Sequence, residues 1–193
     1  MRYIIAIFVF IGLAITIIVL LVRGTTNTKA AIVSRPVSLS DKYQSGLSIV
    51  NTTDGIINND IIHRSMTIKI DINNINLTTY RGYDGVVLNS YNFKNNPTEF
   101  KNFLASISLL GYRVKLHSKY SSSLGLCPFG NRSTWQIING PSNINQNLWS
   151  TTCGGGSEGG QIGPMQQLIQ NQFPNYSNLV TNFNLNLTSP PTN

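Results

Sequence analysis

Two cysteines, two histidines and a few carboxylates hold most of the reactive side chains in this chain. Cys127 and Cys153 stand on either side of two short apolar runs separated by Asn139-Gly140-Pro141, a pattern that predicts a hairpin with a sulfur at each free end. That topology brings the pair within bonding reach, and closing a loop of this length stabilises a small domain by roughly 3.5 kcal/mol. Such a bond persists only in an oxidising compartment. A metal site needs more ligands than are offered: Cys-x-x-Cys is absent, and only His63 and His117 remain to complete a set. A nucleophilic cysteine assisted by one of these histidines stays open as an alternative, although neither neighbourhood carries a motif for it.

The carboxylates Asp54, Asp60, Asp71, Asp84, Glu99 and Glu158 show no paired spacing suited to acid–base hydrolysis. Glycines between residues 154 and 163 precede a predicted helix, but no Gly-Lys-Ser/Thr closes the run, so the lysine that would reach a phosphate is missing. The run therefore reads as a hinge or surface loop. No motif names a catalytic residue or calls for a cofactor, which makes an enzyme, with a site around Cys127, His117 or Glu158, the weaker alternative.

One stretch has the chemistry of a binding face. Residues 112–119 alternate, with Val114 and Leu116 on one side and Arg113, Lys115, His117 and Lys119 on the other, flanked by Tyr112 and Tyr120. A strand with that basic face fits an anionic polymer: nucleic acid, wall polymer or lipid headgroups. Lysines on an edge strand also serve simply to block edge-to-edge pairing. The formal charge of +7 is unevenly spread, since no basic residue follows Arg132 and Glu158 is the one charged side chain beyond it. Any attraction for an anion must come from the first two-thirds of the chain.

The elements that would position these residues can be read from periodicity. Met66, Ile68 and Ile70 alternate with Thr67, Lys69 and Asp71, the period of a half-buried strand. Residues 75–81 and 86–93 form two further runs joined by Tyr83-Asp84-Gly85, a hairpin signal because Asp and Gly tolerate positive φ. A helix follows. Asn96 is its cap, Pro97 its first residue and Glu99 the third position of a capping box, while Phe100, Phe103, Leu104, Ile107 and Leu110 recur at helical spacing before Gly111. A second helix starts at Gly163-Pro164, with Met165, Leu168, Ile169 and Phe173 on one face. The fold class expected is α+β: an N-terminal transmembrane helix, then a small domain with an antiparallel sheet packed against two helices.

Between Arg2 and Arg23 lie 20 uncharged, mostly apolar residues, 3–22, which as a helix span ~30 Å, the thickness of a bilayer core. The run is longer than the apolar part of a usual cleaved leader, and no small-residue cleavage site follows closely. Residues 1–23 thus read as a membrane anchor, 24–60 as a spacer, 61–174 as an extracytoplasmic domain and 175–193 as a loosely ordered, Asn-rich tail. Ile56, Ile57, Ile61 and Ile62 suggest an extra strand or short helix at the spacer's end. The flanking count of Arg2 against Arg23, Lys29 and Arg35 favours a cytoplasmic domain, whereas the cysteines and the weakly charged surface, with only 11% charged residues, favour export.

The turn Arg81-Gly82-Tyr83-Asp84-Gly85, the helix over 96–111, Cys127-Pro128-Phe129-Gly130 and Trp149-Ser150-Thr151-Thr152-Cys153-Gly154 together resemble uncharacterised single-span membrane proteins of small-genome, candidate-phylum bacteria. The resemblance implies a bacterial source and membrane anchoring and supplies no catalytic residue. An apolar first helix leading to a small sheet domain is also similar to pilins, but their Gly-Phe-Thr-Leu-Ile-Glu start is replaced here by Met1-Arg2-Tyr3-Ile4. The role expected from sequence is an interaction or structural module on the outside of a membrane, with a protein or an anionic polymer as its partner.

Overall fold

Residues 47–54 alternate in a way that composition conceals. Leu47 and Ile49 are followed on the same face by Asn51 and Thr53, and all four are buried. This is strand β1 (Leu47–Asp54), and it lies at the centre of the sheet. A computed structural model describes residues 46–112, 120–139, 143–153, 157–158 and 162–188. The expected anchor over 3–22 lies outside them; among the described residues, no helix is long and apolar enough to cross a membrane.

The spacer assignment for 24–60 is therefore corrected at its C-terminal end. β1 was hidden because half of its inward face is polar. Asn51 is tolerated there because its Nδ2 donates to Ser133 Oγ (2.8 Å) and to the Thr134 carbonyl (3.1 Å). Ile56 and Ile62 are buried, Ile57 and Ile61 are exposed, and the four build a loop rather than a strand or helix.

β1 pairs antiparallel on both sides, with β2 (Arg64–Asp71) in the register Ile49 to Ile70 and with β5 (Arg132–Asn139) in the register Asn51 to Trp135. From β2 the sheet continues through β3 (Asn74–Arg81) to β4 (Val86–Lys94) at one edge. From β5 it continues through β6 (Asn143–Thr151) to the two-residue β7 (Ser157–Glu158) at the other. The full order is β4-β3-β2-β1-β5-β6-β7. β7 lies within the glycine-rich run expected to be loop, and pairs through Trp149 and Ser150.

In the turn joining β3 to β4, the positive φ values belong to Gly82 (74°) and Gly85 (72°) rather than to Asp84. Asp60 Oδ1 accepts the Tyr83 N–H at 2.6 Å, so the turn is fastened to the β1–β2 loop. At the other end of this meander, Asp71 Oδ1 accepts from the N–H groups of Asn73 and Asn74 (both 2.8 Å) and closes the turn between β2 and β3.

Helix α1 (Pro97–Leu109) follows the cap signals closely. Asn96 Oδ1 accepts from Glu99 N–H at 2.9 Å, and Gly111 ends the helix with φ of 80°. The reciprocal half of the expected capping box is made differently, because the Asn96 N–H donates to Asn95 Oδ1. Phe100, Phe103, Leu104 and Ile107 bury one face of α1 in the same core as Ile49, Ile68, Ile70, Leu77, Trp135 and Leu148 of the sheet. Met165 and Ile169 of α2 (Ile162–Gln170) and Phe173 join that core. The chain leaves the β4 edge through α1 and re-enters the sheet beyond β1, at β5.

The tail assignment is also corrected over its described part. Residues 176–180 form a short α3 (Tyr176–Val180), and Tyr176, Leu179, Val180 and Phe183 pack on the core. Asn58 Nδ2 donates to the Leu187 carbonyl at 2.8 Å, and any Cβ added to Gly55 would collide with the Leu185 carbonyl. Of the predicted strand over 112–119, only Tyr112 is described; it is fully buried.

Two stability measurements follow. Replacing Asn51 by Ala leaves Ser133 and Thr134 short of a donor inside the sheet, and urea denaturation should show a loss of about 1–3 kcal/mol with an unchanged slope. Burial pushes the Tyr112 hydroxyl far above its ordinary value of 10.0, so the folded state keeps a proton that the unfolded chain releases. The Tyr112 contribution to stability should therefore be flat below pH ~10 and fall above it by up to ~1.4 kcal/mol per pH unit, read as the difference in slope between the native domain and Tyr112→Phe.

Candidate functional site

The Cys127–Cys153 pair is bonded, with Cα atoms 5.4 Å apart across a separation of 26 residues. It closes the free end of the β5–β6 hairpin, where the sequence expects it. The loop that brings Cys127 there is tightly constrained. Cys127 itself takes a left-handed conformation (φ 53°), its carbonyl accepts from the Gly130 N–H at 3.1 Å, and a Cβ at Gly130 would run into Thr152 Oγ1 and the Cys127 sulfur. Only glycine fits at that position.

Thr152 links the two sides of this end. Its N–H donates to the Asn131 carbonyl at 3.0 Å, and its Oγ1 accepts from the Asn131 N–H at 2.9 Å. The Cys127 sulfur lies 3.7 Å from the same Oγ1. Farther out, the Pro128 carbonyl accepts from the Ile57 N–H (2.8 Å), and buried Arg132 donates through Nη2 to the Gly55 carbonyl (3.0 Å). The staple thus ties the β5–β6 end to the loop after β1.

Beside the staple is a cavity of about 540 Å³. Thr53, Met66, Ser133 and Ser150 of the strands form one wall, and Asn131, Thr151 and Thr152 form the wall next to the disulfide. Gly163, Gln166, Gln170 and Tyr176 face them from the helical side, and Leu185 completes the lining. Among the described residues, none that lines it is charged. Hydroxyls and amides supply the polar groups, while Met66, Tyr176 and Leu185 supply apolar surface.

Some of these polar groups are committed within the protein. Ser133 Oγ accepts from Asn51 and lies 3.5 Å from Thr53 Oγ1, and the Tyr176 hydroxyl donates to Met66 Sδ at 3.6 Å. Burial raises the Tyr176 hydroxyl above its ordinary value, with the hydrogen bond to Gln170 acting in the opposite sense, so the phenol stays protonated and neutral at physiological pH. The volume lies within the range of small-molecule sites. Sequence reasoning missed this cavity because its lining comes from distant segments, with only the weak signal that Asn, Gln, Ser and Thr dominate the stretch after Arg132, which has one charged residue.

The other candidates are placed as follows. Arg113, Lys115, His117 and Lys119, the expected anion-binding face, lie outside the described residues. Cys127 has no free thiol in the bonded form, which overturns the nucleophile reading for that form. His63 is buried, its Nδ1 donates to the Ile56 carbonyl (3.1 Å) and its ring stacks on Tyr83 with centroids 4.0 Å apart, so it locks the β1–β2 loop onto the β3–β4 turn. Asp60 and Asp71 are taken up by turns. Glu158 is in β7, at the sheet edge opposite β4. Among the described residues, no three of His, Cys, Asp and Glu come together as a metal site.

Compared with protein families, curated proteins and solved structures, the chain matches none. The chemistry of the site therefore rests on its own geometry. Because Asn131 and Thr152 are both staple neighbours and cavity lining, reduction should be felt in the cavity wall. Reducing the bond, or replacing both cysteines by Ser, should lower stability by about 3.5 kcal/mol and speed hydrogen exchange at the Asn131 and Thr152 amides more than in the β2–β3 hairpin. Uniform exchange across the domain would show that the staple does not shape this wall.

Proposed function

We propose that the chain is a single-pass membrane protein that displays this α+β domain outside the cytoplasm as an interaction module, with the uncharged cavity beside the disulfide as its recognition site. The observation that carries the reading is the Cys127–Cys153 bond. Thiols of cytosolic proteins are kept reduced, and a disulfide that closes a structural hairpin belongs to an oxidising compartment. The apolar run over 3–22 supports the anchor, since its length suits a bilayer and charged residues bound it on both sides.

The cavity supports recognition rather than a structural role alone. A cleft of about 540 Å³ whose wall mixes hydroxyls and amides with apolar side chains has the size and lining of a small-molecule site. The basic residues following the span count towards the opposite orientation, so the test must read topology and oxidation together. In intact cells carrying the full chain, a membrane-impermeant maleimide should label Cys127 and Cys153 only after treatment with a reductant. Labelling only after lysis, with no reductant needed, would place the domain in the cytoplasm and overturn the reading.

A further inference from the structure

We infer that the cavity takes a neutral, polyhydroxylated ligand of one or two sugar rings, such as the end of an uncharged glycan. The inference rests on the reading of the cavity as a recognition site and names its ligand class. Three observations narrow the choice.

The first is charge. Among the described residues, none that lines the cavity is ionised, and the chain from Ser133 onward contains Glu158 as its one charged side chain. A phosphate, carboxylate or ammonium entering this space would lose hydration with no opposite charge to replace it, a large penalty.

The second is the type of polar group. Ser150, Thr151 and Gln166 line the cavity, and the buried Gln166 Oε1 has no hydrogen-bond partner among the described residues. A hydroxyl both donates and accepts, and a carboxamide offers a donor pair and an acceptor. Vicinal hydroxyls on a sugar present the same alternation. A purely apolar ligand would exclude water from these groups and leave them unpaired, at a cost of about 1–3 kcal/mol each.

The third is the apolar share of the wall. Met66, Tyr176 and Leu185 offer surface to the C–H face of a pyranose ring, and Tyr176 is held in place by its bond to Met66 Sδ. Volume agrees: about 540 Å³ admits one or two hexose units and is too small for a longer chain to enter whole. A sugar polymer would therefore be held by its end.

The test uses the full chain in phosphatidylcholine nanodiscs, which carry no sugar headgroup. Maltose, cellobiose and N,N′-diacetylchitobiose are titrated by calorimetry and by NMR, with glucuronic acid and glucosamine as charged counterparts. At least one neutral disaccharide should bind with Kd of 1 mM or tighter, at least tenfold tighter than either charged sugar, and with affinity changing less than twofold between 50 and 500 mM salt. Gln166→Ala should weaken binding at least fivefold. Gly163→Phe adds bulk at a lining position where a new Cβ meets nothing within 4 Å, and should abolish binding while the domain stays folded. No binding of any neutral disaccharide at 50 mM overturns the inference, as does equal binding of the charged sugars or full retention in Gly163→Phe. Failure here with cysteines that label only from outside after reduction removes the ligand class and leaves the displayed module standing. Failure of the labelling alone removes the display and leaves the sugar site.

Discussion

The pairing of β1 with β5 is the constraint on which the rest of the domain depends. The β2–β3–β4 meander and the β5–β6 hairpin are local, joined by short turns, and each leaves an unpaired edge. β1 joins them, and on the β5 side its partners are far away in sequence: Asn51 reaches across 82 residues to Ser133 and 83 to Thr134. Closing so long a loop costs entropy before any contact repays it. The repayment comes from α1, whose apolar stripe shares one core with residues of both halves. A slip of one residue would turn Asn51 and the flanking Ile49 to the wrong face, so the polar side chain in the core also fixes the register.

A second constraint acts at the end of the sheet, where the disulfide, Gly130 and Thr152 hold the open end of β5–β6 against the loop after β1. The residues next to the cysteines in sequence form one wall of the cavity. Covalent bond, tight turn and cavity wall are thus one continuous piece of chain. A cavity held in this way is preorganised, which lowers the ordering cost of any ligand it would take. It also makes the site's shape depend on a bond that only an oxidising compartment maintains.

Where local rules suffice, the fold could be read in advance. Asn96, Pro97 and Gly111 bound α1 as their chemistry requires, the period-two run through Ile68 and Ile70 is a strand, and Met165, Ile169 and Phe173 do share a buried face. The bonded cysteines follow from hairpin topology. What stayed hidden has a common cause. β1 lacks a legible period because Asn51 and Thr53 occupy core positions, and no local pattern shows that Ser133, 82 and 80 residues away, accepts from Asn51 Nδ2 and lies beside Thr53 Oγ1. The tail gives no such signal at its end because Leu187 is held through its carbonyl, a group that every residue has. The cavity was invisible for the same reason, since Thr53, Ser150, Gln166 and Leu185 meet only in the folded chain.

One feature of the site was nevertheless written in the composition. Most of its walls come from residues 131–185, a stretch almost free of ionisable groups, so its neutrality follows from the sequence even though its shape does not. Neutrality decides how such a site can discriminate. A neutral ligand gains nothing from the long-range steering that a net charge of +7 offers to anions, and its association proceeds at the unassisted rate. Selectivity must then come from the penalty for leaving a hydroxyl or amide unpaired, which is short-ranged and sensitive to angle. That places the demand on rigidity, because an amide displaced by 1 Å no longer tells a matching ligand from a near one. The sheet register fixed by Asn51 and the end clamped by the disulfide supply that rigidity, and the neutral cavity lies between them.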